Sequence, residues 1–429
     1  MQGWTAVRAR ASDHDRIAPI FPETSAGLPS ERPPRILWAM TIATLTEEQQ
    51  LIIDTVREFV EREVIPVADA MEHADEYPDK IVEQMKEMGL FGMMVPEEYG
   101  GLGQPLTVYA QTMVELSRGW MSLAGILNTH TMATYLIKSY GTDDQKQRFL
   151  PRMVGGDPRA SLLMSEPHAG SDVQAIKTRA VKDGDDYVIN GQKMWATNGL
   201  RSGLCMTLTK TADTDPPFKG MSMFIVEKEA GAERSGGVIV GKNIEKLGYK
   251  GVETTEIAFD DHRVPAKNLL GDEEGQGFIH NMGAIEVGRV NVAARALGVA
   301  TRAFEEAIRY AQQRETFGKP IAQHQAIQFK LAEMATKIEA AKMLMLNAAG
   351  LKDAGERTDL EAGMAKLYAS EMCMEVCTEA LRIHGGYGYS KEYTVERLFR
   401  DAPFFLIGEG TSEIQKMVIA RNLLKKYKV

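Results

Sequence analysis

Cysteine is scarce in this chain. The 429 residues hold three, Cys205, Cys373 and Cys377, too few for a disulfide framework and without the second pair that a zinc site needs. Cys373 and Cys377 fall four apart on a helical pattern, so reduced core thiols in a reducing compartment are expected. No apolar run is long enough to cross a bilayer, which makes a soluble protein the expectation. Basic residues do not prevail either. Fifty Lys and Arg against 59 Asp and Glu leave a formal charge of −9, which argues against a dedicated nucleic-acid binder. Residues 1–39 lack a periodic apolar pattern and hold five of the 17 prolines. They have no secretory apolar core, and their four acids count against a mitochondrial transit peptide. This stretch is expected to be disordered, and Met40, just ahead of the first helix signal, is a candidate alternative start.

The length allows two or three domains. From Thr44 to about Pro151 the pattern is helical: Leu51, Ile52, Val56, Phe59 and Val60 recur at three- and four-residue spacing behind a capping Thr46. Between about Ala160 and Gly271, β-formers alternate with turn residues. Tyr187-Val188-Ile189, Asn190-Gly191 and Lys193-Met194-Trp195 read as a hairpin, with further strands at Met221–Val226, Gly237–Val240 and Thr254–Phe259. After Gly277 four long helices are expected, near 277–312, 324–350, 359–384 and 412–426, forming a bundle. The chain is thus α+β and mainly α. A disordered extension (1–40) precedes an N-terminal helical domain (41–160), a middle antiparallel β-domain (161–273) and a C-terminal four-helix bundle (274–429). The 24 methionines are expected mostly to fill core space.

Glu409 stands between Gly408 and Gly410 in the turn before the last helix. Glycines there permit close approach of a ligand, with the carboxylate aimed at it as a base. From this stretch alone, a solvated turn residue ahead of a helix capped by Thr411 or Ser412 explains Glu409 as well. A second glycine-rich turn, His384-Gly385-Gly386-Tyr387-Gly388, lies upstream. The loop Ser165-Glu166-Pro167-His168-Ala169-Gly170-Ser171-Asp172 offers hydroxyls and backbone donors suited to phosphate or a polar ring edge. Trp195 and Thr197 sit two apart on one strand face. The indole could lie on a flat heterocycle with Thr197 at its edge, or simply fill the core. Arg314-Glu315-Thr316-Phe317-Gly318 could fork onto a pyrophosphate, and His324-Gln325 begin a helix whose amides favour anions.

Taken in order, Ser-Glu-Pro-His-Ala-Gly-Ser-Asp, Asn-Gly-Gln-Lys-Met-Trp-Ala-Thr-Asn-Gly, Arg-Glu-Thr-Phe-Gly-Lys, His-Gly-Gly-Tyr-Gly and Glu-Gly-Thr-Ser-Glu-Ile-Gln closely resemble the acyl-CoA dehydrogenase family of FAD-dependent flavoenzymes, over about residues 41–429. The resemblance implies the acyl-CoA dehydrogenase-like fold and α,β-dehydrogenation of an acyl-CoA thioester to the trans-2-enoyl-CoA. Glu409 matches the base that takes the α-proton, and the β-hydrogen leaves as hydride to the flavin. Electrons would pass to electron-transfer flavoprotein. It also implies a homotetramer built as a dimer of dimers, a place in fatty acid metabolism and β-oxidation, and the cytoplasm in preference to the mitochondrial matrix. No nucleic-acid partner and no membrane span are expected. Within the fold, a flavin-dependent acyl-CoA oxidase and a DNA-associated protein are the alternatives.

By the same resemblance Leu162, Met164, Ser165, Ser171, Trp195, Ala196 and Thr197 contact the flavin, with Ser171 also on the CoA side. Arg314, Thr316, Phe317, His324 and Gln325 match the set that reaches FAD from a neighbouring subunit. Arg382, Gly385 and Gly386 lie along its pyrophosphate or adenosine part, and Thr411 and Glu413 are its last contacts. Glu286, Arg289 and Gly410 fall on the substrate side. Some members carry the base at the position of Gly288, so Glu409 is the sole candidate here. The chain departs from the pattern at Leu162, where an aromatic is usual, and at Arg382, where Gln is frequent. Gly408 replaces a frequent Tyr, from which room for a bulkier or branched acyl group is expected. A glutaryl-type enzyme has an Arg within the stretch matching Leu123–Asn128; none occurs there, which argues against a dicarboxylyl substrate.

Overall fold

The computed structural model describes residues 45–427, so the expectation for residues 1–39 lies outside the described residues. Helix α1 (Glu47–Phe59) begins where its signal stands. Thr46 Oγ1 accepts from Gln49 N, and Gln49 Oε1 accepts from Thr46 N, a capping box that satisfies two free amides. A π-helical turn, Val60–Val64, leads into α2 (Ile65–Ala74). Helices α3 (Asp79–Glu87), α4 (Leu106–Gly119), α5 (Met121–Tyr140) and α6 (Asp143–Met153) follow. Helix α5 is buried on nearly every side, as befits a helix that is apolar all round.

Strands β1 (Arg159–Leu163), β2 (Arg179–Asp183), β3 (Asp186–Thr197), β4 (Ser202–Lys210), β5 (Met221–Glu227), β6 (Arg234–Ser235), β7 (Val238–Val240) and β8 (Thr254–Pro265) come next. Their order in the sheet is β1-β4-β2-β3-β8-β7-β6, with β5 added on β4. Pairing is antiparallel except that β1, and one residue of β2, run parallel to β4. Side-chain alternation buries both faces. Leu204, Met206 and Leu208 share a core with Phe149 and Met153 of α6, while Cys205 joins Ile189, Phe224 and Ile257 on the other side. Met132, Met153, Met206, Met221 and Met223 all lie in the first of these cores, so thioethers do fill the interior where the sheet meets the helices.

The hairpin turn expected at Asn190-Gly191 is not formed. Strand β3 runs straight through those residues, with an irregularity at Ile189/Gly191 against β8. Gly191 is needed there for a different reason: a Cβ would come 2.5 Å from Thr178 Oγ1. The turn falls earlier, at Gly184-Asp185, where Asp183 pairs Asp186 and Gly184 has φ +63°. Glycine in the first central position is what a two-residue type II′ turn requires.

The chain then returns to helix: α7 (Gly277–Gln313), the two-residue strands β9 (Glu315–Thr316) and β10 (Lys319–Pro320), α8 (Gln325–Asp353) and α9 (Asp359–His384). Helices α10 (Val395–Asp401) and α11 (Pro403–Ile407) precede α12 (Ser412–Lys426), which Thr411 caps through Ile414 N. The four expected helices are all present, packed around α7 and α9. The short α10 and α11 were not foreseen, since seven and five residues span too few turns to show a period. All three cysteines are free and buried. Among the described residues no helix is long and apolar enough to cross a membrane.

Candidate active site

Helix α11 ends at Gly408, and the next residue turns into the left-handed region: Glu409 has φ +55° and Gly410 φ +93°. A non-glycine residue held there marks a conformation imposed by its surroundings. Lys366 of α9 supplies much of the constraint. Its fully buried ammonium donates to Phe405 O and to Gly410 O, each at 2.7 Å, and so ties both ends of the turn. The Glu409 carboxylate is held at one oxygen: Asn128 Nδ2 of α5 donates to Oε1 at 2.8 Å, and Arg295 Nη1 of α7 lies 3.6 Å from the same atom. The other oxygen, Oε2, is buried and has no partner among the described residues.

That asymmetry suits a base. One oxygen is fixed and the other is free to take a proton. The side chain as a whole is one-fifth exposed, yet Oε2 itself is shut off from solvent, and it is the desolvated atom that governs proton affinity. Burial pushes the Glu409 carboxyl up to about 7, against the opposing pull of Arg295, Lys366 and Asn128. Burial likewise draws the Lys366 ammonium down to about 8, with Glu409 opposing.

Gly288 of α7 faces this carboxylate. A Cβ built there would lie 2.6 Å from Glu409 Oε2 and 3.1 Å from Met132 Cε. Glu286, two residues earlier, points away. Its Oε1 accepts from Thr358 N and Thr358 Oγ1, and its Oε2 from Lys352 Nζ at 2.6 Å. Both oxygens are engaged in joining α7 to the α8–α9 connection. Arg289 is 6% exposed and reaches Asp359 at 3.3 Å, leaving its Nε unpartnered. A Cβ at Gly408 would meet the Phe404 ring at 2.6 Å, so the missing side chain there serves the packing of Phe404.

The aromatic strand segment sits as a binding platform would. A register shift between Lys193 and Ala196 lifts Trp195 out of the ladder at φ +65°, and the indole is 56% exposed. The core reading of Trp195 is thereby excluded, whereas Ala196 is buried and Thr197 half-buried. Met194 N donates to Ser165 O, drawing the loop after β1 against this segment. Leu162 and Met164 pack half-buried on the core beneath it, and Ser171 is exposed. Glu166, which carried no role in the sequence reading, organises the loop. It accepts from Lys177 N, Thr178 N and the fully buried Lys193 Nζ. An exposed indole close to a half-buried hydroxyl, beside the loop after β1, fits a flat polar heterocycle such as flavin.

A second group gathers past the end of α7. Arg314 lies 5.8 Å from the Tyr387 ring, Thr316 Oγ1 meets His324 Nε2 at 3.1 Å, and Phe317 stands edge-on to His324. Phe317 is 96% exposed, and Gln325 opens α8. The turn at Gly385, with φ +60°, and Gly386 has no atom within 4 Å of a would-be Cβ at either glycine, so a ligand could approach the main chain there. Arg382 pairs with Glu379. Thr411 is occupied as the cap of α12, and Glu413 is exposed in its first turn.

Sequence reasoning did not single out Asn128, Tyr249, Arg295 or Lys366. Lys366 had a signal: it is a lone charge on a helix face with Ala362, Gly363, Ala369 and Ser370, where burial demands a partner.

Models of the acyl-CoA dehydrogenase N-terminal, middle and C-terminal domains match residues 46–157, 161–262 and 275–424. An acyl-CoA dehydrogenase of Bacillus subtilis is 43% identical over 381 residues, covering 89% of this chain and 99% of its own. A 3-(aryl)acrylate reductase of Clostridium sporogenes is also 43% identical, over 384 residues with the same coverage. Among solved structures, one from a study of the electron transferring flavoprotein of Acidaminococcus fermentans superposes with a TM-score of 0.86 at 38% identity, covering 90% of this chain and all of that one. With all three of its domains matched and the Glu409 turn, the indole platform and the glycine turns in place, the chain belongs to the acyl-CoA dehydrogenase family, FAD-carrying oxidoreductases of the CH–CH bond.

Proposed function

We propose that this protein dehydrogenates an acyl-CoA thioester between Cα and Cβ, with Glu409 as the base that removes the α-proton. The observation that carries this reading is the state of one carboxylate: Oε1 fixed by Asn128, Oε2 buried and unpartnered, and the group raised to about 7. A thioester α-proton is far less acidic than a carboxylic acid, so a desolvated carboxylate of raised basicity is the appropriate acceptor. Bound FAD supplies the acceptor for the β-hydride. Trp195 and Thr197 would hold its ring system, and Ser165 would line the edge. Gly410 and the Glu409 main chain allow the thioester to come close to the turn.

Arg314, Thr316, Phe317, His324 and Gln325 belong to a second subunit's flavin in this reading. Gly288 and Gln313 lie on one helix, 25 residues apart, which places the base and the end of α7 about 37 Å from each other. One cofactor at Glu409 and Arg314 of the same chain is therefore an awkward span, whereas a neighbouring copy solves it. A homotetramer assembled as a dimer of dimers and electron-transfer flavoprotein as the electron acceptor complete the proposal. The three free, buried thiols support a cytoplasmic setting. Glu409→Gln tests the reading. The variant should keep its yellow cofactor and lose roughly 10³-fold or more in turnover of acyl-CoA thioesters with a dye acceptor. Undiminished turnover would overturn it.

A further inference from the structure

Arg295 lies seven residues beyond Gly288 on α7, two turns along, so both side-chain positions share one face of the helix. Its side chain is 1% exposed. Three rings enclose it: its Cζ is 5.0 Å from the centroid of Tyr249, 4.9 Å from Phe404 and 5.8 Å from Phe405. Its ion pair, Nη1 to Glu409 Oε1 at 3.6 Å, is too long for a hydrogen bond. Nε and Nη2 have no hydrogen-bond partner among the described residues that meets normal geometry, although the Tyr249 hydroxyl also lies against the guanidinium. Those two N–H groups form the side-on edge of the guanidinium, the edge that grips a carboxylate through two parallel hydrogen bonds.

A buried cation with that edge unmet is expensive. Leaving buried donors unsatisfied costs about 1–3 kcal/mol each, and aromatic faces offset only part of it. Glu409 is the carboxylate that stands against Arg295, and it is shared with Lys366, on which Glu371 and Glu413 also act. The group that meets the open edge has to arrive with a ligand, and it has to arrive beside the base.

We propose that Arg295 is the receptor for a carboxylate on the acyl chain, so that the preferred substrate is the mono-CoA thioester of a short dicarboxylic acid. This rests on the dehydrogenase reading above and narrows its substrate class. The stretch Leu123–Asn128 indeed carries no basic residue, but the expectation drawn from that overlooked α7, which brings a guanidinium to the same place from another side. Because Nη1 lies 3.6 Å from the base, the acid must sit close to the carbons being unsaturated. Chains with the carboxylate carbon two or three beyond Cα meet that demand and keep a β-hydrogen, and long fatty acyl chains do not.

The test compares kcat/KM for glutaryl-CoA and methylsuccinyl-CoA with their ω-methyl esters and with butyryl-CoA, using the purified holoprotein and a dye acceptor. The free acids should exceed their esters by at least about tenfold, the loss expected when one partner of a buried charge pair is neutralised. Arg295→Gln should collapse that ratio, and Arg295→Lys, which keeps the charge without the fork, should leave an intermediate one. Because the ratio is taken within each protein, damage to the base or to flavin binding cancels. Esters or butyryl-CoA turned over as fast as the acids by the unaltered protein would overturn the inference while leaving the dehydrogenase intact. Failure of every thioester to reduce the dye would instead overturn the dehydrogenase reading, and this inference with it.

Discussion

Gly288 and Glu409 are in contact across the active site: a Cβ on the first would stand 2.6 Å from Oε2 of the second. They come from α7 and from the turn after α11, 121 positions apart in the chain. The glycine leaves the room in which the carboxylate lies, and a carboxylate carried at its own position would start from within reach of the same spot.

Gly288→Ala should therefore disturb the base without touching the flavin platform. A displacement of the carboxylate by a fraction of an ångström to one ångström is worth up to about 10²-fold in turnover, and a decrease in kcat of about ten- to a hundredfold is expected with unchanged FAD content. The pair Gly288→Glu with Glu409→Gly should recover part of the activity that Glu409→Gly alone abolishes. Steady-state rates of the three variants check this; a double variant as inactive as the single one would show that the two positions do not address the same carbon.

The pH dependence follows from the sign of the shift at Glu409. A base acts when deprotonated, and burial raises this carboxyl to about 7. The kcat/KM of the free protein should be low under acid conditions, rise as pH passes through about 7 and level off above it. Lys366 and Arg295 hold the value down, so removing either charge should move the rising limb to higher pH. A limb near the ordinary glutamate value of about 4.3 would mean that Oε2 is solvated in the working protein.

Lys366→Met removes two hydrogen bonds, to Phe405 O and Gly410 O; Gly410 O keeps Gln415 Nε2 at 3.2 Å, while Phe405 O loses the lysine donor. At about 1–3 kcal/mol for an unsatisfied group, urea unfolding should show a loss of that order. Since the turn carries Glu409, kcat should fall more than KM rises. Equal effects on the two constants would indicate a merely structural role.

Much of this was legible in the sequence because it was periodic or local. The four bundle helices and the Thr46 and Thr411 caps all follow from spacing or from neighbouring residues. Asn190-Gly191 misled because a strong turn pair can also serve a strand bulge where another chain passes close; the clash of a Cβ with Thr178 belongs to tertiary structure. For the same reason the partners of Glu286, Thr358 and Lys352, could not be read from its own stretch. Glu409 was found by its glycines, but Asn128, Arg295 and Lys366 reach it from 281, 114 and 43 positions away, on three different helices. No local pattern encodes such a meeting. What the sequence did offer was a charge on a small-residue face, a sign of burial that awaits a partner.

The ion pair between Glu166 and Lys193 is the other long-range device, and it bears on the cofactor. Their side chains are 2% and 0% exposed, and Lys193 Nζ also donates to Met164 O at 3.1 Å. Lys193 thus fastens the loop carrying Met164 and Ser165 to the strand carrying Trp195. Removing one partner of a buried pair strands the other, at about 3–5 kcal/mol. Lys193→Met should lower stability by that order and loosen the loop, so that FAD separates from the protein on gel filtration and its free fluorescence appears. Adding Glu166→Leu should recover most of the stability, because no unpaired charge then remains, while the loop still lacks its tether to Met164. Retention of FAD by Lys193→Met at the unaltered affinity would mean that the loop is held in place by its backbone bond to Met194 alone.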